Sequence, residues 1–237
     1  IRKSVQRAGY RVQELVLEPL AAARAVLTED ETEVGVAMID IGACTTNLAA
    51  YCDGEIGHIA VFPLGGSTVT NDLVRGLSIP FAEAKRAKEQ FGVASTQLVD
   101  PQETVELPGP SPGQKRHIAR ELIAHVVEQR LDELFHLVQE ELGQQDLLNK
   151  LGAGIVLTGG AAALYGTVEL AQQVFALPIR AGVPGEGLGG LADSVRRPKF
   201  ATAAGLVLYG ADRYEETGKG ASTLTSGLVS KVGSWLK

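Results

Sequence analysis

Two short turns in this sequence carry residue types that could grip a phosphate chain. The first, Asp40-Ile41-Gly42-Ala43-Cys44-Thr45-Thr46, lies between two apolar runs and reads as a strand-turn-strand element. Small residues in such a bend let backbone N–H groups be aimed at phosphate oxygens, and the leading carboxylate, Asp40, could hold a hydrated Mg²⁺ beside them. The second, Leu157-Thr158-Gly159-Gly160-Ala161-Ala162, ends a predicted strand and opens a predicted helix, whose N-terminus favours an anion. Either turn alone is more often a plain chain reversal. No rival chemistry stands out. His58, His117, His125 and His136 lack metal-ligand spacing, and no Ser/His/Asp arrangement can be argued. Cys44 and Cys52 lack C-x-x-C spacing and are expected to be small core residues in a reducing compartment rather than a disulfide.

The elements that must position these turns follow from periodicity. Val12 to Leu17 is predicted as a strand entering a helix that starts at Pro19 and ends near Leu27. Gly35 to Gly42, Asn47 to Tyr51 and Glu55 to Phe62 are spaced as three strands of an antiparallel meander, with Asp53-Gly54 in its second turn. Gly65-Gly66 opens a helix stopping near Gly76, and a second helix runs from Pro80 to Phe91. A short strand, Glu103 to Leu107, sits in a stretch rich in proline and glycine. From Gln114 to Leu142 apolar residues recur at helical spacing, including Ile118, Leu122, Ile123, Leu131, Leu134 and Val138. Gly154 to Thr158 is a buried strand, followed by a helix to Phe175, a strand near Ile179 and a helix from Phe200 to Tyr209. Residues 211–222 are polar and glycine-containing, as a linker would be.

Composition narrows the classes. A chain of 237 residues, 45% hydrophobic, can bury a sizeable core, and its 28 glycines favour alternating strands, turns and helices. A net charge of -6 argues against a nucleic-acid partner. No apolar run is long enough to span a bilayer. Ile1-Arg2-Lys3 has neither an initiating Met nor a signal-peptide core, so the chain is expected to be a portion of a longer one.

In order along the chain, an Asp-x-Gly hairpin, a Gly-Gly helix start and a Thr-Gly-Gly strand end resemble the actin, Hsp70 and sugar-kinase superfamily. Glu18-Pro19-Leu20-Ala21-Ala22-Ala23 is similar to the Glu-Pro-x-Ala-x-Ala element of bacterial actins and Hsp70. Gly65-Gly66-Ser67-Thr68-Val69-Thr70-Asn71-Asp72-Leu73, Lys88-Glu89-Gln90-Phe91-Gly92, Glu103-Thr104-Val105-Glu106-Leu107-Pro108-Gly109 and Phe200-Ala201-Thr202-Ala203-Ala204-Gly205-Leu206 resemble the FtsA family of bacterial cell-division proteins in particular.

That resemblance implies an α/β, actin-like (ribonuclease H-like) ATPase fold. Residues 1–27 would end a first domain, 28–77 and 151–210 would form an inner ATPase subdomain, and 78–150 an outer one. ATP and Mg²⁺ would be the cofactors, with ATPase activity weak or absent. Glu18 would act on water and metal, Asp40 on Mg²⁺, and Gly42, Ala43, Cys44, Thr45 and Thr46 on the β- and γ-phosphates. Gly65, Gly66, Lys88, Gly159 and Gly160 would surround ribose and adenine. Ala43, Cys44 and Asn47 depart from the usual hairpin, and Lys85 stands where the family has a glutamate.

The last residues, Leu224 to Lys237, fit a short helix. Leu224, Leu228, Val229, Val232, Trp235 and Leu236 fall in one arc of roughly 140°, as an in-plane membrane anchor needs. Lys231 and Lys237 would add attraction to anionic lipid, on the order of 1 kcal/mol each. FtsA-type proteins end in such a helix, and by resemblance the chain would polymerise with its own kind and recruit later division proteins. It would also receive the C-terminal peptide of FtsZ on its outer subdomain, with Arg130 the preferred contact, at the cytoplasmic face of the membrane. Two alternatives stay open: a PilM-like protein of type IV pilus assembly, and a sugar kinase.

Overall fold

The computed structural model describes residues 1–109, 113–185, 188–189 and 192–216. Its centre is a mixed five-stranded sheet in the order β3-β2-β1-β6-β7, built from β1 (Val36–Ile41), β2 (Thr46–Cys52), β3 (Glu55–Phe62), β6 (Gly154–Thr158) and β7 (Ile179–Ala181). β1, β2 and β3 are antiparallel neighbours, while β6 runs parallel to both β1 and β7. The meander read from the sequence is therefore present. Between β3 and β6 the chain forms α4 (Gly66–Leu77), α5 (Phe81–Phe91), a two-stranded sheet of β4 (Thr104–Pro108) and β5 (Lys115–Ala119), and the long α6 (Arg120–Gln144).

β1 is buried along its whole length, so its side chains alternate between two covered faces. Ala37, Ile39 and Ile41 join a core with Val69 and Leu73 of α4 and Phe135 and Val138 of α6, and Phe135 meets Phe175 of α7 (Thr167–Phe175) edge-to-face. Val36 and Met38 face the other way. They pack with Ala22, Ala23 and Val26 of α2 (Glu18–Val26) and Ala201, Ala204 and Leu208 of α8 (Ala201–Glu216). These small side chains bring α2 and α8 close enough that a Cβ on Gly205 would lie 1.6 Å from the carbonyl oxygen of Ala21.

Continuing the alternation through Val36 and Met38, Asp40 points to the α2/α8 face at the C-terminal end of β1. Register pairs it with Thr158 of β6, so both sequence turns leave the sheet at the same edge. In open α/β sheets this is the edge at which ligands bind.

Several expectations are corrected. After a short first helix, α1 (Arg2–Arg7), Val12 to Leu17 forms no strand, and Leu15 and Leu17 are exposed. Lys115 to Ala119 is a strand bonded to β4 rather than the first turn of the long helix. The helix after Thr158 is broken: a single 3-10 turn, Ala161–Ala163, precedes α7. α8 runs to Glu216, so residues 211–216 are helix and not linker. A short helix, α3 (Glu29–Val34), was not expected. Thr28 caps it by accepting from Glu31 N–H while the Glu31 carboxylate accepts from Thr28 N–H. Burial alone would raise the Glu31 carboxyl, but hydrogen bonds from Arg180 and Thr28 outweigh it and hold the group below its ordinary value. The two ionised partners clip β7 to α3 through paired contacts of 2.6 Å. Cys44 is exposed rather than in the core, Cys52 is half-buried, and both are free thiols.

Candidate functional site

The hairpin between β1 and β2 is closed by Gly42 N–H donating to the Thr45 carbonyl at 2.9 Å. It docks onto the start of α4. Gly66 N–H donates to Gly42 O at 2.9 Å and Ser67 N–H to Ala43 O at 2.6 Å. This contact explains Gly65: a Cβ there would stand 2.8 Å from the carbonyl oxygens of both Gly42 and Ala43. At the tip, the amides of Ala43 and Cys44 take no backbone hydrogen bond among the described residues. They remain available to an anion.

Lys88 of α5 reaches this junction and donates to Gly66 O at 2.7 Å. Burial pushes its ammonium pKa down; Glu89 opposes that, and Lys85 adds to it. Ala161 also lies against Gly66, bringing the turn after β6 into the same neighbourhood. Thr46 is different. Its hydroxyl is fully buried and donates to Leu64 O at 2.8 Å, so that side chain braces the hairpin rather than facing open space.

Beside the hairpin, Asp40 is 5% exposed and its Oδ2 accepts a hydrogen bond from the Thr202 hydroxyl at 3.3 Å. Its other oxygen backs onto Gly159, where an added Cβ would sit 2.3 Å away. Glu18 opens α2, Thr202 lies in the first turn of α8, and both converge on this carboxylate. Burial, and then the charge of Glu18, push the Asp40 pKa up to about 6, against the lowering effect of Thr202. A buried carboxylate repelled by another is a group that a cation would relieve. Among the described residues no set of three His, Cys, Asp or Glu could hold a metal together, and what this site offers a cation is the Asp40 carboxylate with Glu18 beside it.

A stability prediction follows from that raised value. Unfolded, Asp40 ionises near 3.8; folded, near 6. The folded state is therefore unpenalised below the lower value and loses stability as pH rises through the upper one, by roughly 2–3 kcal/mol. Asp40→Asn is expected to match wild type below pH 4 and to exceed it by about that amount at pH 7.5, in urea unfolding without nucleotide or metal. A variant no more stable than wild type at pH 7.5 would contradict this electrostatic account.

The second turn is held by Thr158, whose hydroxyl donates to Gly182 O at 2.9 Å and Pro198 O at 3.3 Å. Gly159 is in the left-handed region and Gly160 is exposed in a right-handed helical conformation. The structure thus brings Glu18, Asp40, the hairpin, Gly65, Gly66, Lys88, Gly159 and Gly160 to one edge of the sheet.

A model for cell division protein FtsA matches residues 37–205. The chain belongs to the FtsA family. FtsA of Pseudomonas aeruginosa is 43% identical over 216 residues, which is 91% of this chain and 52% of that protein. FtsA of Escherichia coli K12 is 38% identical over 244 residues, covering 100% of this chain and 57% of that one. This FtsA-family chain thus spans about half the length of the curated relatives it matches. Among solved structures, MreB5 of Spiroplasma citri bound to ADP superposes with a TM-score of 0.70 at 21% identity, over 92% of this chain and 66% of that one. The PilM-PilN type IV pilus biogenesis complex gives 0.64 at 18% identity, over 88% and 56%. At such identities the likeness is one of fold, and that fold is actin-like.

Away from this edge of the sheet, Arg130 is not a free cation. It pairs with Asp72 at 2.7 Å and Glu133 at 2.5 Å on the wall of a shallow depression of about 480 Å³ that His125 and Asp132 also line. Leu224, Leu228, Val232, Trp235 and Leu236 lie outside the described residues. Among the described residues no helix is long and apolar enough to cross a membrane.

Thr202 lies within the Phe200 to Leu206 stretch, where its type alone does not point to a role. A hydroxyl among Ala201, Ala203 and Ala204 was the available signal.

Proposed function

We propose that this chain supplies one half of an ATP cleft in an actin-like cell-division scaffold. In that scaffold the protein polymerises with its own copies, recruits later division proteins and tethers FtsZ to the cytoplasmic face of the membrane at the septum. The observation that carries this reading is the convergence of the hairpin, the Gly65-Gly66 helix start and Gly159 on the buried Asp40. Fold neighbours solved with ADP and AMPPNP support a nucleotide there.

Residues 1–27 would complete a first domain, 28–77 with 151–210 the inner subdomain, and 78–150 the outer one. The tip amides of Ala43 and Cys44 would meet phosphate oxygens, Gly65, Gly66 and Lys88 would flank the nucleoside, and Gly160 would let it approach. Asp40, with Glu18 beside it, would hold hydrated Mg²⁺, which when bound neutralises phosphate charge. With Ala43, Cys44, Asn47 and Lys85 in place of the family's usual residues, hydrolysis would be slow or absent. Arg130 would meet the C-terminal peptide of FtsZ only by exchanging Asp72 and Glu133 for it. Many weak terminal helices linked in a filament would anchor firmly where one would not.

Sedimentation of the full-length protein with anionic phospholipid vesicles, with and without ATP and the FtsZ tail peptide, tests the proposal. Vesicle binding is expected to rise with ATP and to fall at least tenfold when residues 224–237 are deleted. Binding unchanged by that deletion would favour the PilM-like reading, and phosphoryl transfer to a small hydroxyl compound would favour the kinase.

A further inference from the structure

The carboxylate torsion of an aspartate is broad, so a strand-end Asp is not oriented by its own covalent geometry. Asp40 is nevertheless confined on both sides. Its Oδ1 faces the Cα of Gly159 with no room for a Cβ, and its Oδ2 accepts the Thr202 hydroxyl at 3.3 Å. Glu18, the other side chain acting on it, repels and as a carboxylate donates no hydrogen bond. Thr202 is well placed to act as a fixed donor. Its β-branch restricts rotation of the hydroxyl's carrier, and α8 is seated on α2 by the close approach of Gly205 to Ala21. The hydroxyl also bonds across to β1 instead of back into its own helix.

We propose that Thr202 is a positioning residue: it sets the orientation in which the Asp40 carboxylate meets hydrated Mg²⁺, and hence how strongly nucleotide binding depends on the metal. This rests on the reading of Asp40 as the metal-facing group. Partners that orient a metal-ligating carboxylate typically change metal affinity 10- to 100-fold when removed.

The test titrates Mg²⁺ against binding of a fluorescent ATP analogue to the full-length protein, with an EDTA arm for metal-free affinity. In Thr202→Val the Mg²⁺ midpoint is expected to rise about 10- to 100-fold, and the ratio of affinities with and without Mg²⁺ to fall accordingly. Thr202→Ser, which keeps the hydroxyl, should return the midpoint to within about threefold of wild type. Should the valine variant not fold, Thr202→Ala is read in its place by the same criteria. If Thr202→Val keeps the wild-type midpoint while Asp40→Asn loses its metal dependence, the proposal fails and the role of Asp40 stands. If Asp40→Asn keeps its metal dependence, or the wild-type protein binds no nucleotide, the underlying reading fails and takes the proposal with it. Equal weakening with and without Mg²⁺ would mark Thr202 as merely structural. A crystal structure of the valine variant with the Asp40 carboxylate unmoved would overturn the proposal independently of any ligand.

Discussion

Gly205→Ala is expected to destabilise the protein by about 3 kcal/mol or more, while Gly210→Ala, further along the same helix, stabilises it by about 0.5–1 kcal/mol. In an unconstrained helix interior alanine is the better residue, because glycine gives up more backbone freedom on folding. Gly210 is such a position, with nothing among the described residues within 4 Å of an added Cβ. At Gly205 the added atom would lie 1.6 Å from the Ala21 carbonyl oxygen and 2.4 Å from its carbon. Both are backbone atoms, and no rotamer change relieves the overlap. α2 and α8 would have to separate, opening the layer where Ala22, Ala23, Ala204 and Leu208 cover Met38 and Val156. The damage would extend to the site, because Glu18 and Thr202 ride on these two helices and approach Asp40 from their first turns. Paired urea titrations followed by circular dichroism measure both effects. Effects of the same sign at the two glycines would contradict the close approach.

That crossing was invisible in the sequence, whereas the strands it covers were not. β1 and β6 are short apolar runs ending in small residues, and burial on both faces leaves that pattern with little competition. Lys115 to Ala119 shows why shorter signals fail. Ile118 fits the helical spacing of Leu122 and Ile123, and a five-residue alternation is too brief to outweigh it until pairing with β4 decides. Val12 to Leu17 failed for the opposite reason. Its apolar pattern suits a strand, but the edges of the sheet belong to β3 and β7 and the segment pairs with neither. α3 was legible in principle, since Thr28 and Glu31 stand at capping-box spacing. The site divides in the same way. The turns could be named from residue types, but the bonds from Gly66 and Ser67 to the hairpin join segments far apart in the chain. Arg130 could be put forward as a peptide contact because its pairing with Asp72 is equally non-local and does not show in the sequence.

The two adjacent glycines of the second turn looked equivalent in sequence, and their substitutions are expected to behave very differently. Gly159 has φ +88°, and a Cβ there would stand 2.3 Å from Asp40 Oδ1 and 2.5 Å from Ile41 O. Alanine would carry roughly 1–2 kcal/mol of left-handed strain and a further 1–3 kcal/mol of overpacking against the strand. Gly159→Ala should therefore lose about 3 kcal/mol of stability and displace the carboxylate, weakening Mg²⁺-dependent nucleotide binding by tenfold or more. Gly160, at φ -66° and ψ -35°, already occupies a conformation open to any residue, and among the described residues its added Cβ would meet only Lys199 Cβ at 3.9 Å. Gly160→Ala should leave stability within about 0.5 kcal/mol of wild type. Any loss of ATP-analogue binding in that variant would then report contact with the nucleotide rather than damage to the fold, since a methyl group costs the empty protein almost nothing there. A Gly159→Ala protein as stable as wild type would refute the packing of the turn against Asp40. A Gly160→Ala protein that binds the analogue normally would place the nucleotide away from this turn, leaving the hairpin and the start of α4 to hold it.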